Sequence, residues 1–547
     1  MNKPFYWLNE ESRATLNKVL NGQDPVDRIK DIAVLAETRL GMPGYAERFI
    51  EYMSKGWFSL SSPVWPNYGT NRGFPVSCFG GYVPDSMSGI QYTLYEQAML
   101  TKGGGGTSTY FGDVRPRGSD ITDNGKSDGS VNFMRQFDVM TDVVSQGSTR
   151  RGYMASYLPI THGDIKEFLE IGYDGNKIQD LMTGVVIPEG WMQSMIDGDT
   201  EKRELWAKVL DARKDHGYPY IVFGDNANNN KPECYADKPI LASNLCSEIM
   251  LPSNEKESFV CVLCSINLLH YDDWKDTDAV EVLVQFMDTM VTDFLYKLVN
   301  VGADQELHPL HRVYNFALNH RALGLGVLGW HSLLQSKMLP WESKEAAKLN
   351  LEIFSLIEAE AYAASFRMGQ KLGTVLNTVR RNATLMAIAP TKTSSFVLGQ
   401  VSQGIEPIMS NYFVDIKAKS VLVYKNPLLI ELLESKGHNN NQTWESIRKK
   451  DGSVQHLIFL RQDEKDVFKT FKELNPDSII DQAGIRQSKI DQGQSLNIIA
   501  TPDMTTKDLN KLHIRAWQMG VKSLYYQFNL SAAQEFTRNK ECESCHA

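Results

Sequence analysis

In "VDRIKDIAVLAETRL" (residues 26–40) the apolar residues Val26, Ile29, Ile32, Ala33, Ala36 and Leu40 recur three and four apart. That is the spacing of one face of an α-helix. "YAERFIEYMSKGW" (45–57) repeats the pattern, and residues 10–60 read as helical. From about residue 60 the texture changes. Short β-prone runs, "GVVIP", "YPYIVF", "FVCVL", "TLMAIA", "SLNIIA" and "KSLYYQF", alternate with longer helical stretches such as 276–300 and 343–371. Strands alternating with helices predict an α/β protein with much parallel pairing. No internal repeat and no low-complexity linker interrupts it. The one polar, unpatterned stretch, 531–547, follows the last strand. The expected organisation is a helical N-terminal region (1–55), one large α/β body (56–530) and a flexible tail (531–547).

Composition narrows the function classes. The 547 residues are 42% hydrophobic and 22% charged, ordinary for a globular protein. A net charge of −9 argues against a general nucleic-acid binder, which would show a basic face. No stretch approaches the roughly 18 apolar residues of a membrane span, and the start lacks the apolar run of a secretory signal. A cytoplasmic location is expected, with no membrane partner. Seven cysteines fit a reducing compartment, where Cys pairs are more often catalytic or metal-binding than structural.

Several glycine-rich stretches invite a nucleotide. "GLGVLG" (324–329) fits G-x-G-x-x-G, but "YNFALNHRA" before it does not read as a strand, and the apolar run continues into the helical-looking "WHSLL". Close helix packing through small residues is the expected use. "KGGGGTST" (102–109) has no G-K-[ST] ending, so Walker A is rejected. Its glycines still allow close backbone approach, and Arg115 and Arg117 just after could hold a phosphate. "SQGSTRRGYMAS" (145–156), with Arg151, is a second loop of this kind. "APTKTSSF" (389–396) follows a β-like run and reads as a helix start. Thr391, Thr393, Ser394 and Ser395 there suit either a phosphate or plain capping.

The cysteines carry the sharpest chemistry. Cys261 and Cys264 in "CVLC" could join Cys542 and Cys545 of "KECESCHA" as a four-cysteine zinc site. Against this, "FVCVLCSINLL" is β-like, and strand residues three apart point to opposite faces. One of Cys261 and Cys264 is expected to pack as a small hydrophobe. In "SNLCSEI" (243–249), Asn244, Cys246 and Glu248 alternate and would share one face of an extended segment. An adjacent carboxylate opposes thiolate formation, so this set suits a thiol used in its neutral form.

"PVSCFGGYVPDS" (75–86), "SNLCSEI", "CVLCSINL" (261–268), "APTKTSS", "KSLYYQF" and a tail Cys pair appear in this order. From about residue 55 to the end the chain resembles the large, catalytic subunit of ribonucleotide reductase. The resemblance implies a ten-stranded α/β barrel that reduces ribonucleotides, most simply ribonucleoside diphosphates, to deoxyribonucleotides. It implies that Cys246 becomes a thiyl radical that takes the ribose 3′ hydrogen, on a loop inside the barrel shielded from solvent. Glu248 would be the base on the 3′-hydroxyl and Asn244 an amide at the same sugar edge. Cys78 and Cys261 would donate two electrons and close to a disulfide as the 2′-hydroxyl leaves as water. Ser62 and Ser77 would contact substrate, and 391–395 would hold its diphosphate. Asp85, Arg115, Arg117 and Arg151 would serve an allosteric nucleoside triphosphate at a homodimer interface.

Tyr525 and Tyr526 match the stacked tyrosines that relay oxidation from a separate metal-containing small subunit in class I enzymes. No cofactor in this chain is implied. The mobile pair Cys542 and Cys545 would reduce the active-site disulfide and then meet thioredoxin or glutaredoxin. The alternatives are a class II enzyme that uses adenosylcobalamin, and a zinc-stabilised nucleotide-binding protein without redox activity. A glycyl-radical enzyme is not expected. Because the substrate-contact segment begins near residue 60, no ATP-cone and no on/off control by dATP through one are expected.

Overall fold

The computed structural model describes residues 3–20, 22–147, 151–417, 420–501 and 504–529. Helices α1 (Glu10–Leu20), α2 (Pro25–Leu40) and α3 (Tyr45–Ser54) form the N-terminal part. In α2 the Asp24 side chain accepts a hydrogen bond from the Val26 N–H, Pro25 presets the first turn, and Gly41 ends the helix in the left-handed region. Its buried face, Ile29, Ile32, Ala33, Ala36 and Leu40, is the one the pattern predicts. These residues belong to the same hydrophobic core as the body. Helix α1 also reaches far along the chain: Ser12 Oγ lies 2.8 Å from the Val397 carbonyl.

The body is built on a mixed sheet of β1 (Phe58–Leu60), β2 (Cys78–Tyr82), β3 (Gly106–Tyr110), β4 (Met154–Pro159), β5 (Met182–Ile187), β6 (Tyr220–Phe223), β7 (Phe259–Asn267), β8 (Leu323–Leu328) and β9 (Ser523–Leu524). Strands β2 to β6 run parallel, each beside the next. Parallel neighbours need long crossovers. Helices α4 (Met87–Lys102), α5 (Ser130–Val143) and α6 (Thr200–His216) provide three of them. Strand β7 pairs antiparallel with β1 and β2, and parallel with β8. Strand β9 pairs antiparallel with β6. Behind β7 and β8 packs α7 (Ala279–Asn300), and on α7 packs α8 (Lys344–Leu372), both close to the predicted spans.

Between β8 and β9 the hydrogen bonding continues through extended chain. Leu325 N–H donates to Leu385 O, and Ile388 N–H to Gly493 O. Ser495 N–H donates to Ile388 O, Tyr525 N–H to Leu496 O, and Ile498 N–H to Tyr526 O. The sheet therefore curls until its edges are bridged. Two antiparallel seams result, one at β2/β7 and one at β6/β9.

The expected helix packing through "GLGVLG" is not what forms. Residues 323–328 are strand β8, and only Trp330–Ser336 is helical. The glycines serve strand packing. A Cβ at Gly324 would lie 2.6 Å from the Leu263 side chain, and one at Gly326 would lie 2.9 Å from Ala387 O. Residues 429–468 form a satellite apolar cluster around Trp444. No described helix is long and apolar enough to cross a membrane.

Candidate functional site

The inside of the curled sheet is filled by the loop 241–249. Its hydrophobic surroundings, Tyr110, Ala155, Tyr157, Val186, Tyr220, Val222 and Tyr525, come from several strands. Asn244, Ser247 and Glu248 are fully buried, and Cys246 is 5% exposed. The loop is held at both walls. Ser108 Oγ donates to Ser243 O (2.8 Å) and Tyr157 Oη to Asn244 O (2.6 Å). Gly493 N–H donates to Glu248 O (2.7 Å), and Ser523 Oγ bonds Ser247 O (2.5 Å).

Asn244, Cys246 and Glu248 do come together, but not by strand alternation. The loop is not extended. Ser247 has φ +60°, and the Asn244 side-chain oxygen accepts the N–H groups of Glu248 (3.0 Å) and Ile249 (3.1 Å). This side-chain turn folds the chain back on itself.

The seam at β2/β7 supplies the other thiols. Cys78 and Cys261 are direct cross-strand partners in its antiparallel register, so their side chains lie on one face about 5 Å apart at Cβ. Both are buried thiols. Cys264 points the other way, with its sulfur 3.7 Å from Met290 Sδ on α7, as the packing reading expects. Burial, with the nearby Glu248 carboxylate second, pushes the Cys78 thiol well up. Burial likewise raises Cys261, although Gln492 Nε2 at 3.6 Å from its sulfur opposes that. Both therefore hold their protons at neutral pH.

Burial lifts the Glu248 carboxyl to about 7, partly offset by Ser495 and Asn244. Ser495 Oγ lies 2.6 Å from Cys246 O and 3.0 Å from Glu248 Oε2, so one hydroxyl ties the two residues together. Asn244 Nδ2 lies against the Cys78 thiol and the Glu248 carboxyl. It makes no well-formed hydrogen bond, and Glu248 Oε1 has no partner. A buried donor and a buried acceptor left over cost about 1–3 kcal/mol each.

Ser77 is buried, with its hydroxyl 4.0 Å from Cys78 Sγ. Ser62 is half-buried just beyond β1, whose end Leu60 pairs with Cys264. Thr391 to Ser395 lie at the exit of the extended segment 384–389, where Lys392–Val397 forms the expected short helix. Thr391, Ser394 and Ser395 are buried and Thr393 half-buried. Part of this hydroxyl set is already committed: Thr391 Oγ1 accepts Gly404 N–H (2.8 Å), and Ser395 Oγ donates to Lys392 O (2.7 Å).

Tyr525 is buried in the cluster that contains Cys246, and its ring centroid is 4.4 Å from that of Tyr526. The effector candidates are more scattered. Arg115 Nε pairs with Asp85 at 2.8 Å, whereas Arg117 forks onto Glu167 and Arg151 reaches Asp142 at 3.3 Å. Cys542 and Cys545 lie outside the described residues. Among the described residues, no group of His, Cys, Asp and Glu could hold a metal ion. Sequence reasoning missed Gln492 and Ser495. Gln492 bonds Leu323 O (2.8 Å) besides facing Cys261. Only the folded sheet brings "QGQS" (492–495) to the thiols, and no spacing signals it.

The family model for the barrel domain of ribonucleotide reductase matches residues 76–202, 196–378 and 377–527. A putative ribonucleoside-diphosphate reductase large subunit of Frog virus 3 (isolate Goorha) is 34% identical over 89% of this chain and 88% of its own. A large subunit from Invertebrate iridescent virus 3 is 32% identical over 88% and 87%. The solved alpha subunit of the class Id ribonucleotide reductase of Actinobacillus ureae superposes with a TM-score of 0.91 at 48% identity, covering 97% of this chain and 99% of that one. The matched spans contain both seams and the loop between them, and the chain belongs to the ribonucleotide reductase family, among its class I large subunits.

Proposed function

We propose that this large subunit, a ribonucleoside-diphosphate reductase, works through a thiyl radical on Cys246. The observation that supports the reading is the enclosure of three thiols, one carboxyl and one amide inside the curled sheet, on two different pieces of backbone. The thiyl at Cys246 takes the 3′ hydrogen atom, so an S–H bond forms as a C–H bond breaks. Glu248 takes the proton of the 3′-hydroxyl. The 2′-hydroxyl leaves as water with one proton from the Cys78–Cys261 pair, and the pair's other hydrogen forms the new C2′–H bond. The two sulfurs, having given up two electrons, close to a disulfide while Glu248 returns its proton to the 3′-oxygen. Cys246 then returns its hydrogen atom to C3′ and is again the radical. Asn244 Nδ2 is the spare donor for the sugar edge, and the 391–395 segment is the seat for the diphosphate, with Ser62 and Ser77 beside the sugar.

The ten-stranded barrel takes segments 384–389 and 492–498, which carry hydrogen bonding between β8 and β9, as two further members beside strands β2 to β9; those bonds support it. The radical comes from a metal-containing small subunit through Tyr526 and Tyr525. Asp85 with Arg115 forms the better-supported part of an effector site. Helices α4 and α5 beside it expose Met87, Tyr95, Val139 and Val143, an apolar face fit for a homodimer. Cys542 and Cys545 shuttle electrons from a thioredoxin-like donor.

The test is turnover of a ribonucleoside diphosphate with a candidate small subunit and, separately, with adenosylcobalamin. Turnover with the small subunit alone, lost in Tyr525→Phe, supports the reading; cobalamin-driven turnover sinks it. Cys542→Ser with Cys545→Ser should remove thioredoxin-driven turnover and spare turnover driven by a small dithiol.

A further inference from the structure

The end of α6 carries a buried cation with no carboxylate. Arg213 has 0% exposure, and among the described residues no Asp or Glu pairs with it. Its Nη2 donates to Tyr525 O at 3.0 Å, and its Nη1 donates to Pro219 O. Its Nε has no partner. A buried charge normally needs an opposite one. The ionisable group that acts on it is the Tyr220 phenol, which is no counter-charge while it keeps its proton. His513 is its other titratable neighbour, kept neutral by burial first and by Arg213 second.

Tyr220, at the start of β6, is fully buried against both tyrosines of the pair. Its ring centroid is 4.8 Å from Tyr525 and 5.2 Å from Tyr526, edge-on to the latter at 88°. With 4.4 Å between Tyr525 and Tyr526, the three rings form a closed triangle. Hydrogen bonds strap the same two segments together. Gln527 N–H donates to Gly217 O (2.8 Å), and Asn529 Nδ2 donates to Arg213 O (3.1 Å) and Lys214 O (2.6 Å). Gly217 has φ +83°, and a Cβ there would lie 2.9 Å from Gln527 O. The end of α6 is thus built to hold the tyrosine segment at close range.

Building on the relay reading above, we propose that Arg213 and Tyr220 are positioning residues for radical transfer. Tyr220 fixes the separation of the Tyr525 and Tyr526 rings. Arg213 anchors the Tyr525 backbone and holds a fixed positive charge 3.0 Å from the Tyr525 carbonyl oxygen, near Tyr220. In a low-dielectric interior that charge opposes loss of an electron alone, because the product would be a phenol radical cation beside a guanidinium. Loss of an electron and a proton together leaves a neutral phenoxyl, which the charge does not penalise. Each hop then balances: Tyr526–O• and Tyr525–OH become Tyr526–OH and Tyr525–O•, and Tyr525–O• and Cys246–SH become Tyr525–OH and Cys246–S•. The first oxidising equivalent is the radical delivered by the small subunit.

The experiment measures turnover of the subunit complex for Arg213→Gln, Arg213→Lys, Tyr220→Leu and Tyr220→Phe. Substrate KM, effector binding and melting temperature accompany each. The expected results are a loss of kcat of about tenfold or more in R213Q with KM unchanged, partial recovery in R213K, a loss of about thirtyfold in Y220L, and Y220F within about threefold of the parent. R213Q should also gain a different pH dependence of kcat, because proton loss is no longer enforced by the charge. If R213Q melts early, R213K and the Tyr220 pair decide. Parental kcat in folded R213Q or Y220L overturns the proposal. So does a Y220F loss as deep as that of Tyr525→Phe, which would make Tyr220 a redox member. If Tyr525→Phe itself turns over normally, the relay reading has failed instead.

Discussion

At the β2/β7 seam the antiparallel register sets Cys78 opposite Cys261; at the β6/β9 seam it sets Val222 opposite Ser523 and leads straight into Tyr525 and Tyr526. Both seams arise where a run of parallel strands meets its reverse, and both face the loop that carries Cys246. Their side chains differ in kind. One seam holds two small polarisable groups that can share a bond, so it suits a two-electron exchange. The other holds large conjugated rings in contact, so it suits single electrons. Antiparallel pairing matters at the first because directly opposed residues share a face. A parallel neighbour is slanted in its bonding and offers a poorer match. One topological event, used twice, separates the proposed reductant from the proposed radical path while keeping both against one loop.

The largest expected effect breaks the loop that the seams share. Cys246→Ser should lower turnover by about 10³-fold or more, roughly 4 kcal/mol, while nucleotide binding measured by titration stays within about twofold. Next comes the thiol seam. Cys261→Ser should cost about 10²-fold in steady-state turnover, whereas Cys264→Ser, three residues along the same strand but on the other face, should stay within about twofold. Equal losses in the two would break the assignment of faces.

A third prediction concerns pH. Glu248 must be ionised to act as a base, so kcat should rise through about pH 7, where burial places its pKa. Its stability effect has the opposite sense. The folded-state pKa lies above the unfolded one of 4.5, so the folded state binds more protons between about pH 4.5 and 7. Its contribution to stability is present below that window and is lost as pH rises through it, at about 1.4 kcal/mol per unit. Glu96 is shifted by burial in the same way. Glu248→Gln should therefore flatten only part of the fall in melting temperature from pH 5 to 8, and should lower kcat by about 10²-fold. A melting profile unchanged by the substitution would contradict the burial argument. The smallest effect lies far from both seams. Asp85→Asn should blunt the response to an effector nucleotide and leave basal turnover within about threefold, since its ion pair with Arg115 is only half-buried and such surface pairs contribute about 0–1 kcal/mol to stability.

Much of this was legible in the sequence. Helices α2, α7 and α8 follow their apolar spacing, and "FVCVL" and "YPYIVF" form strands where their composition places them. "GLGVLG" misleads because glycines and leucines in a fully enclosed strand show no period of two. The Asn244–Glu248 set was found for a reason that does not hold: a turn, not alternation, joins the residues. Gln492, Arg213 and Tyr220 carried no local signal. Their partners are residues 231, 312 and 305 positions away, and only the curled sheet supplies them. The loop arginines are visible as a type, but sequence cannot show that Arg117 and Arg151 are already engaged by Glu167 and Asp142.

The contact between Ser12 and Val397 bears on how this chain can be handled as a material. A segment at the start of a chain is the usual place to trim, tag or circularly permute. Here Gln400 also reaches back to Glu11 at 2.8 Å, so the first helix braces the far side of the hydroxyl-rich 391–395 turn. Shortening the chain past Trp7 would remove the support of a turn whose own residues were left untouched. If that turn seats the diphosphate as proposed, an engineer would read the result as a weakened grip on substrate rather than as a missing appendage.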